Sequence, residues 1–202
     1  MVTLLALALC SCMGLNEPPA AVQPDAGLPD LDEWDVLVRV ANQGYTDAGF
    51  VLINDSPYPS DLTGNDINVF VSVDGWWEFL YASPEVTGRG VSLPVGTLIV
   101  REVLDENGAL ESLTLLKRGP DGYSPAHGDL WYAVLEPNGF PRFEDGEPLI
   151  GRLEERCAGC HDERPDDGYL FGVPLDARDP NLPVPTAGGL PHASIAPVAA
   201  LR

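Results

Sequence analysis

The amino-acid sequence predicts an α+β domain, in which a mainly antiparallel β-sheet is accompanied by a few helices. Three observations lead to this class. Stretches rich in β-branched and aromatic residues recur through the middle of the chain, as expected for strands. Asn107-Gly108 lies between two such stretches, and this dipeptide is a strong signal for a tight hairpin turn. Short loops join the other stretches, which favours an antiparallel sheet over a fold built from βαβ units.

The individual elements are placed by the spacing of apolar residues and by the positions of Pro and Gly. The predicted order is a helix over residues 31–42, strands over 50–53 and 67–73, a short helix over 76–81, strands over 97–104, 110–117 and 130–135, and a C-terminal helix that begins at Pro148 and carries the Cys-x-x-Cys-His segment (157–161). The first helix is ambiguous, because Val36, Val38 and Val40 also alternate as they would in a strand.

One strand carries an arginine among aliphatic residues. Alternation along residues 97–104 places Ile99, Arg101 and Val103 on the same face. Arg101 is therefore either an arginine at the sheet edge, whose guanidinium reaches water, or a cation that points into a pocket.

The two ends of the chain differ in composition from its middle. The predicted regions are a leader (residues 1–12), a Pro- and Asp-rich linker (13–30), a folded domain (31–174) and a Pro-rich tail (175–202). The leader contains a short apolar run typical of a secretory signal. Because the small residue Ser11 precedes Cys12, the leader also resembles a bacterial lipoprotein signal with the lipid on Cys12; cleavage without lipidation is the alternative. We therefore expect a protein of the bacterial periplasm, tethered to the membrane only if Cys12 is lipidated.

The charge of the chain limits its partners. The sequence has 31 acidic and 11 basic residues, which gives a net charge of −20. Such a surface repels nucleic-acid phosphates and anionic lipid headgroups, so nucleic-acid binding is excluded. The charge serves solubility, or it docks a basic redox partner protein.

The motif Cys157-Ala158-Gly159-Cys160-His161 is the strongest chemical signal in the chain. Two cysteines three residues apart, followed at once by a histidine, form the attachment signature of haem c. Each thiol can form a thioether with one vinyl group, and His161 then binds the iron. The alternative is half of a zinc site, although the sequence has no second Cys-x-x-Cys and no His-x-x-x-His to complete it.

The identity of the sixth iron ligand would decide what such a haem can do. The only methionines, Met1 and Met13, precede the predicted domain, so the usual His/Met pair of electron-transfer cytochromes is not available from it. His127 lies in a polar loop and His192 in the tail. We therefore expect an open iron that binds small diatomic or nitrogenous molecules, with an electron carrier that uses His127 or His192 as an alternative.

In these features the chain resembles the cytochrome P-460 family, which includes the cytochromes c′-β. The similarity lies in Val-Gly-Thr-Leu-Ile-Val-Arg-Glu-Val (95–103), Gly-Asp-Leu-Trp-Tyr (128–132), the haem motif (157–161) and Phe171, in matching order over about residues 31–174. The resemblance implies a mainly antiparallel β fold, a homodimer and a five-coordinate haem c. It also implies binding of nitric oxide or, as an alternative, a haem oxidoreductase that acts on hydroxylamine.

The chain departs from the family at the expected distal pocket. Hydroxylamine-oxidising members carry a lysine bonded to the porphyrin, and the matching position here is Arg101. A guanidinium stays protonated and is a poor nucleophile, so we do not expect the cross-link. A distal carboxylate of the family falls near Leu113, and Phe70 is the apolar residue expected to cap the iron. Phe70, Arg101 and Leu113 are therefore the candidates for the distal pocket.

Overall fold

The computed structural model describes residues 33–184, apart from residues 42–43, 47–48, 61–62, 83–84 and 87–89. The predicted leader and linker, with Cys12, lie outside the described residues, as do His192 and the rest of the tail beyond residue 184. Within the described part, no helix has both the length and the apolar character needed to cross a bilayer.

The described elements are mostly short strands. They are α1 (Glu33–Ala41), β1 (Phe50–Leu52), β2 (Tyr58–Pro59), β3 (Asp66–Ser72), α2 (Trp76–Phe79) with a 3₁₀ turn (Leu80–Ala82), β4 (Leu98–Leu104), β5 (Leu110–Arg118), a 3₁₀ turn (Pro125–His127), β6 (Leu130–Leu135), β7 (Phe143–Glu144), β8 (Glu147–Pro148), β9 (Ile150–Gly151), a π-helical turn (Glu154–Ala158), α3 (Gly159–His161) and a 3₁₀ turn (Pro165–Asp167).

Seven strands form one antiparallel sheet in the order β1-β3-β4-β5-β6-β9, and β2 also pairs with β3. The predicted hairpin joins β4 to β5, and its turn is closed by a hydrogen bond from the amide of Asp105 to the carbonyl of Ala109, 2.8 Å long. Gly108 adopts a φ of 78° in this turn, a value that glycine reaches without steric cost. The prediction of an α+β fold with a mainly antiparallel sheet is confirmed.

Both faces of the sheet are covered. Leu98 and Val100 belong to a core that packs against α1, whereas Ile99 and Val103 belong to a second core on the opposite face. The predicted alternation along β4 is therefore confirmed. The second core also contains Ala158 of the Cys-x-x-Cys-His segment, which is fully buried. The sheet thus supports this segment on one face.

The predicted start of the last helix, at Pro148, is wrong. Pro148 ends β8, and Ile150 of β9 pairs with Ala133 of β6, so the chain is still extended here. The apolar residues after Pro148 fit a helical spacing, but a short apolar run fits a buried strand equally well. Helical structure begins only at Glu154.

The chain after Pro174 packs against the domain, which the sequence pattern did not predict. Arg178 is buried, and its guanidinium donates to the carbonyls of Val173 (3.0 Å) and Leu80 (2.6 Å). Leu182 is also buried and belongs to the core beneath the Cys-x-x-Cys-His segment. These contacts hold residues 175–182 on the same side of the sheet as that segment.

Candidate functional site

The Cys-x-x-Cys-His segment begins with a π-helical turn. The carbonyl of Leu153 accepts hydrogen bonds from the amides of Arg156, Cys157 and Ala158, at 3.0, 2.9 and 3.2 Å. Leu153 itself has a φ of 44°, in the left-handed region that side chains other than glycine rarely adopt. Single π turns of this kind often occur at functional sites. The turn follows β9 and is followed by α3, and both cysteines line a cavity together with residues of the sheet.

Both thiols of the segment are free, but their environments differ. Cys157 is half-buried, and Cys160 is exposed. Burial raises the pKa of the Cys157 thiol to about 11, while the positive charge of Arg101 acts in the opposite direction. Cys157 is therefore a protonated thiol at neutral pH.

A cavity of about 290 Å³ lies between the sheet and the Cys-x-x-Cys-His segment. Its floor is the sheet face that carries Ile67, Val69, Ile99 and Leu116, together with two polar residues, Arg101 and Thr114. Cys157, Cys160 and His161 line its other side. The three residues of the motif therefore share one largely apolar cavity.

A backbone carbonyl fixes the ring of His161. Its Nδ1 donates a hydrogen bond to the carbonyl of Tyr169, 2.5 Å away. This bond places the proton on Nδ1 and leaves the lone pair on Nε2, which is the usual arrangement of a histidine that binds a metal. The ring also packs against Phe171 and Tyr132, with centroid distances of 5.1 and 5.2 Å. Burial lowers the pKa of His161, and the charge of Arg101 adds to this effect, so the imidazole is neutral.

Tyr169 reaches His161 because the loop between them folds back tightly. Its φ is 63°, in the left-handed region, and its amide donates to the carbonyl of Arg164 over 2.7 Å. Gly128 makes room for the tyrosine ring, since a Cβ at that position would lie 2.4 Å from a ring carbon of Tyr169. Strained backbone of this kind tends to occur at functional sites.

Arg101 reaches the cavity from the middle of β4, where Ile99 lines the cavity as well. Its Nε is buried and has no hydrogen-bond partner. Burial lowers the pKa of the guanidinium below its usual value, although it remains a cation at neutral pH. Of the two alternatives for Arg101, a cation directed into a pocket agrees with the structure, and an arginine extending from the sheet edge does not.

Phe70 and Leu113 do not lie at this cavity. Phe70 packs against the ring of Tyr45 at 5.2 Å, and Leu113 is buried in the core on the α1 side of the sheet. Successive strand residues point to opposite faces, so an alignment that is displaced by one residue selects the wrong face. The expectation that Phe70 and Leu113 share a pocket with Arg101 is therefore corrected; Ile67 and Val69 of β3 line the cavity instead.

The sequence pattern did not identify several residues that shape the site. Tyr132 lines the cavity and has a buried hydroxyl without a hydrogen-bond partner. Arg156 and Arg164 line it as well, although both lie in an acidic stretch that reads as solvated charge. Tyr169 contributes through its backbone, and the only signal for its turn is the preceding Asp167-Gly168.

His127 contacts a carboxylate and does not line the cavity. Its Nδ1 lies 2.8 Å from a carboxylate oxygen of Asp162, the residue that follows His161. Among the described residues, no group of three or more His, Cys, Asp or Glu side chains is arranged to hold a metal ion.

No protein-family model matches the chain, and no curated protein is significantly similar to it.

Proposed function

We propose that this chain is an exported haem c protein of the bacterial periplasm that binds nitric oxide or another small nitrogenous molecule, and that it belongs to the cytochrome P-460 family. Cys157 and Cys160 would hold the haem, and His161 would bind its iron. The single observation that carries the proposal is the hydrogen bond from His161 Nδ1 to the carbonyl of Tyr169, which leaves Nε2 as the free nitrogen.

The residues around the motif fit such a group. Both thiols are free, and Cys157 lines a largely apolar cavity together with His161. The same cavity contains two buried polar atoms without hydrogen-bond partners, Nε of Arg101 and the hydroxyl of Tyr132. Unpaired polar atoms are costly to bury, and a bound group that accepts hydrogen bonds would remove that cost.

The chain's own residues would orient the group and keep water away from it. A haem held by these residues would supply an iron centre that can take up small molecules. The Tyr169 carbonyl and the ring of Phe171 hold the imidazole of His161 in one orientation. Ile99 and Leu116 present an apolar wall, which disfavours water in that part of the cavity.

The absorption spectrum of the ferrous protein tests the proposed function. The protein should be matured in a periplasm that attaches haem c, and the spectrum recorded with and without carbon monoxide and nitric oxide. We expect a five-coordinate ferrous spectrum that changes with each gas, because both methionines precede the described residues and His127 is not among the residues that line the cavity. The matched control is His127→Gln, which should leave the spectrum unchanged. A six-coordinate spectrum that ignores both gases would reject the proposal.

A further inference from the structure

The cavity beside Cys157 has a charge opposite in sign to that of the whole protein. The chain carries a net charge of −20. Among the described residues that line the cavity, three are arginines and none is acidic; the arginines are Arg101, Arg156 and Arg164. An anion that enters this cavity therefore meets positive charge, although the rest of the chain repels it.

Two of the three arginines already have a carboxylate partner. Arg156 forms an ion pair with Glu144, and Nη1 of Arg164 lies 3.4 Å from a carboxylate oxygen of Asp167. Arg101 forms no ion pair with a carboxylate of the described residues, and its Nε is buried without a hydrogen-bond partner. A buried cation without a counter-charge is costly. Arg101 is therefore the arginine that would gain most from a bound anion.

Tyr132 offers a second unpaired donor in the same cavity. It stands on the same sheet face as Arg101, in the row formed by Ile99, Leu116 and Tyr132 across three strands. Its hydroxyl is buried and has no partner, and its ring lies 5.2 Å from that of His161. A guanidinium and a hydroxyl that both lack an acceptor match a ligand that carries negatively charged oxygen atoms.

We propose that Arg101 and Tyr132 bind an anionic oxygen ligand, a carboxylate or a small oxyanion, inside this cavity. Two sources offer that chemistry. A propionate of the haem would make Arg101 an anchor for the cofactor, and this version rests on the proposed function. A free anion such as nitrite would make Arg101 the residue that selects the ligand of the same site.

Titration with nitrite and with carbon monoxide distinguishes the two sources in the haem-bearing protein. The variants are Arg101→Gln, Arg101→Lys and Tyr132→Phe, with Arg142→Gln as the control. Arg142 is a half-exposed arginine that pairs with Glu136 and does not line the cavity. Its replacement by glutamine changes the net charge of the protein by the same amount as Arg101→Gln, but at a distance from the proposed site.

If the anion is free, Arg101→Gln should raise the dissociation constant of nitrite at least tenfold and leave that of carbon monoxide unchanged. Arg101→Lys should restore part of the affinity, and Tyr132→Phe should weaken nitrite binding in the same direction. If the anion is a propionate, Arg101→Gln should leave nitrite binding unchanged and lower the reduction potential of the haem, because an unpaired carboxylate stabilises the ferric state. If Arg101→Gln and Arg142→Gln have the same effect on the dissociation constant of nitrite and the same effect on the reduction potential, the proposal is overturned.

If the protein acquires no haem, the proposed function is refuted, but the question whether Arg101 and Tyr132 bind an anion stays open. In that case the unfolding temperature of the haem-free protein is measured with increasing nitrite and formate. A rise that Arg101→Gln abolishes and Arg142→Gln retains supports the anion site. The absence of any rise in the unmodified chain overturns it.

Discussion

At the scale of single residues, the site depends on how closely Gly128 and Tyr169 approach each other. Tyr169 adopts a φ of 63° so that its carbonyl faces His161, and its ring occupies the space beside Gly128. A glycine is required at position 128 both for its own φ of 66° and for the absence of a Cβ. The orientation of the histidine thus depends on a glycine 33 positions earlier in the sequence.

Replacing Gly128 with alanine should destabilise the protein more than the same change at Gly108. Both glycines have a positive φ, which costs a residue with a side chain about 1–2 kcal/mol. A Cβ at Gly108 meets nothing within 4 Å, whereas one at Gly128 collides with the Tyr169 ring. Denaturant unfolding measures both free energies, and we expect Gly128→Ala to lose about 1–3 kcal/mol beyond Gly108→Ala. Equal losses would contradict the contact between Gly128 and Tyr169.

At the scale of elements, a polar network joins the loop after α1 to the sheet face opposite the cavity. The hydroxyl of Tyr45 donates to Glu102 on β4 (2.9 Å), and the side-chain amide of Asn68 on β3 donates to the same carboxylate (2.9 Å). Asn54 extends the network to Asn68 at 2.8 Å. Glu102 follows Arg101 directly in β4, so the carboxylate of Glu102 and the guanidinium of Arg101 point to opposite faces of the sheet.

Tyr45→Phe should lower the free energy of unfolding by about 1–2 kcal/mol at pH 7, because a hydrogen bond to a charged group is lost. Burial and the charge of Glu102 raise the pKa of Tyr45 above its usual value. A tyrosine whose pKa is raised by folding stabilises the protein below about pH 10 and loses that contribution as the pH rises. Urea unfolding at pH 7 and pH 11 should therefore show the difference between wild type and Tyr45→Phe shrinking at high pH. A difference that grows at pH 11 would contradict this assignment.

The strands were easier to predict than the helical segment that follows them. The β-branched residues and the Asn107-Gly108 turn predicted β4 and β5 closely, since such residues favour strands and this dipeptide favours a tight hairpin turn. Pro148 was assigned to a helix because Leu149, Ile150 and Leu153 also fit a helical spacing. Only the pairing of Ile150 with Ala133 decides the matter, and that contact is not visible in the local sequence.

At the scale of the whole molecule, the residues of the predicted site were only partly correct. Arg101 lines the cavity with Cys157, whereas Phe70 and Leu113 lie on the other face of the sheet. Local pattern identifies a motif and the faces of a strand, but it does not state which face the motif will cover. In the folded domain, Ala158 and Cys157 of the motif pack with the core that contains Ile99, and this packing decides the face.

The burial of Arg178 shows the same limit. A Pro-rich tail without periodicity predicts no packing, yet the guanidinium of Arg178 donates hydrogen bonds to the carbonyls of Leu80 and Val173. Such bonds join segments far apart in the sequence, so they follow from the assembled domain and not from composition. The net charge, in contrast, is a property of the sequence, and only the structure shows that the cavity is lined by arginines.

We propose that Cys157 and Cys160 hold a haem covalently, and intact mass measurement of the periplasmically matured protein tests this proposal most directly. The account predicts a mass increase of one haem that survives denaturation, together with haem staining of the denatured chain. Replacement of both cysteines by alanine should abolish this increase, because no other free thiol lies among the described residues. A denatured protein with the mass of the bare polypeptide, or with zinc lost on denaturation, would contradict the account.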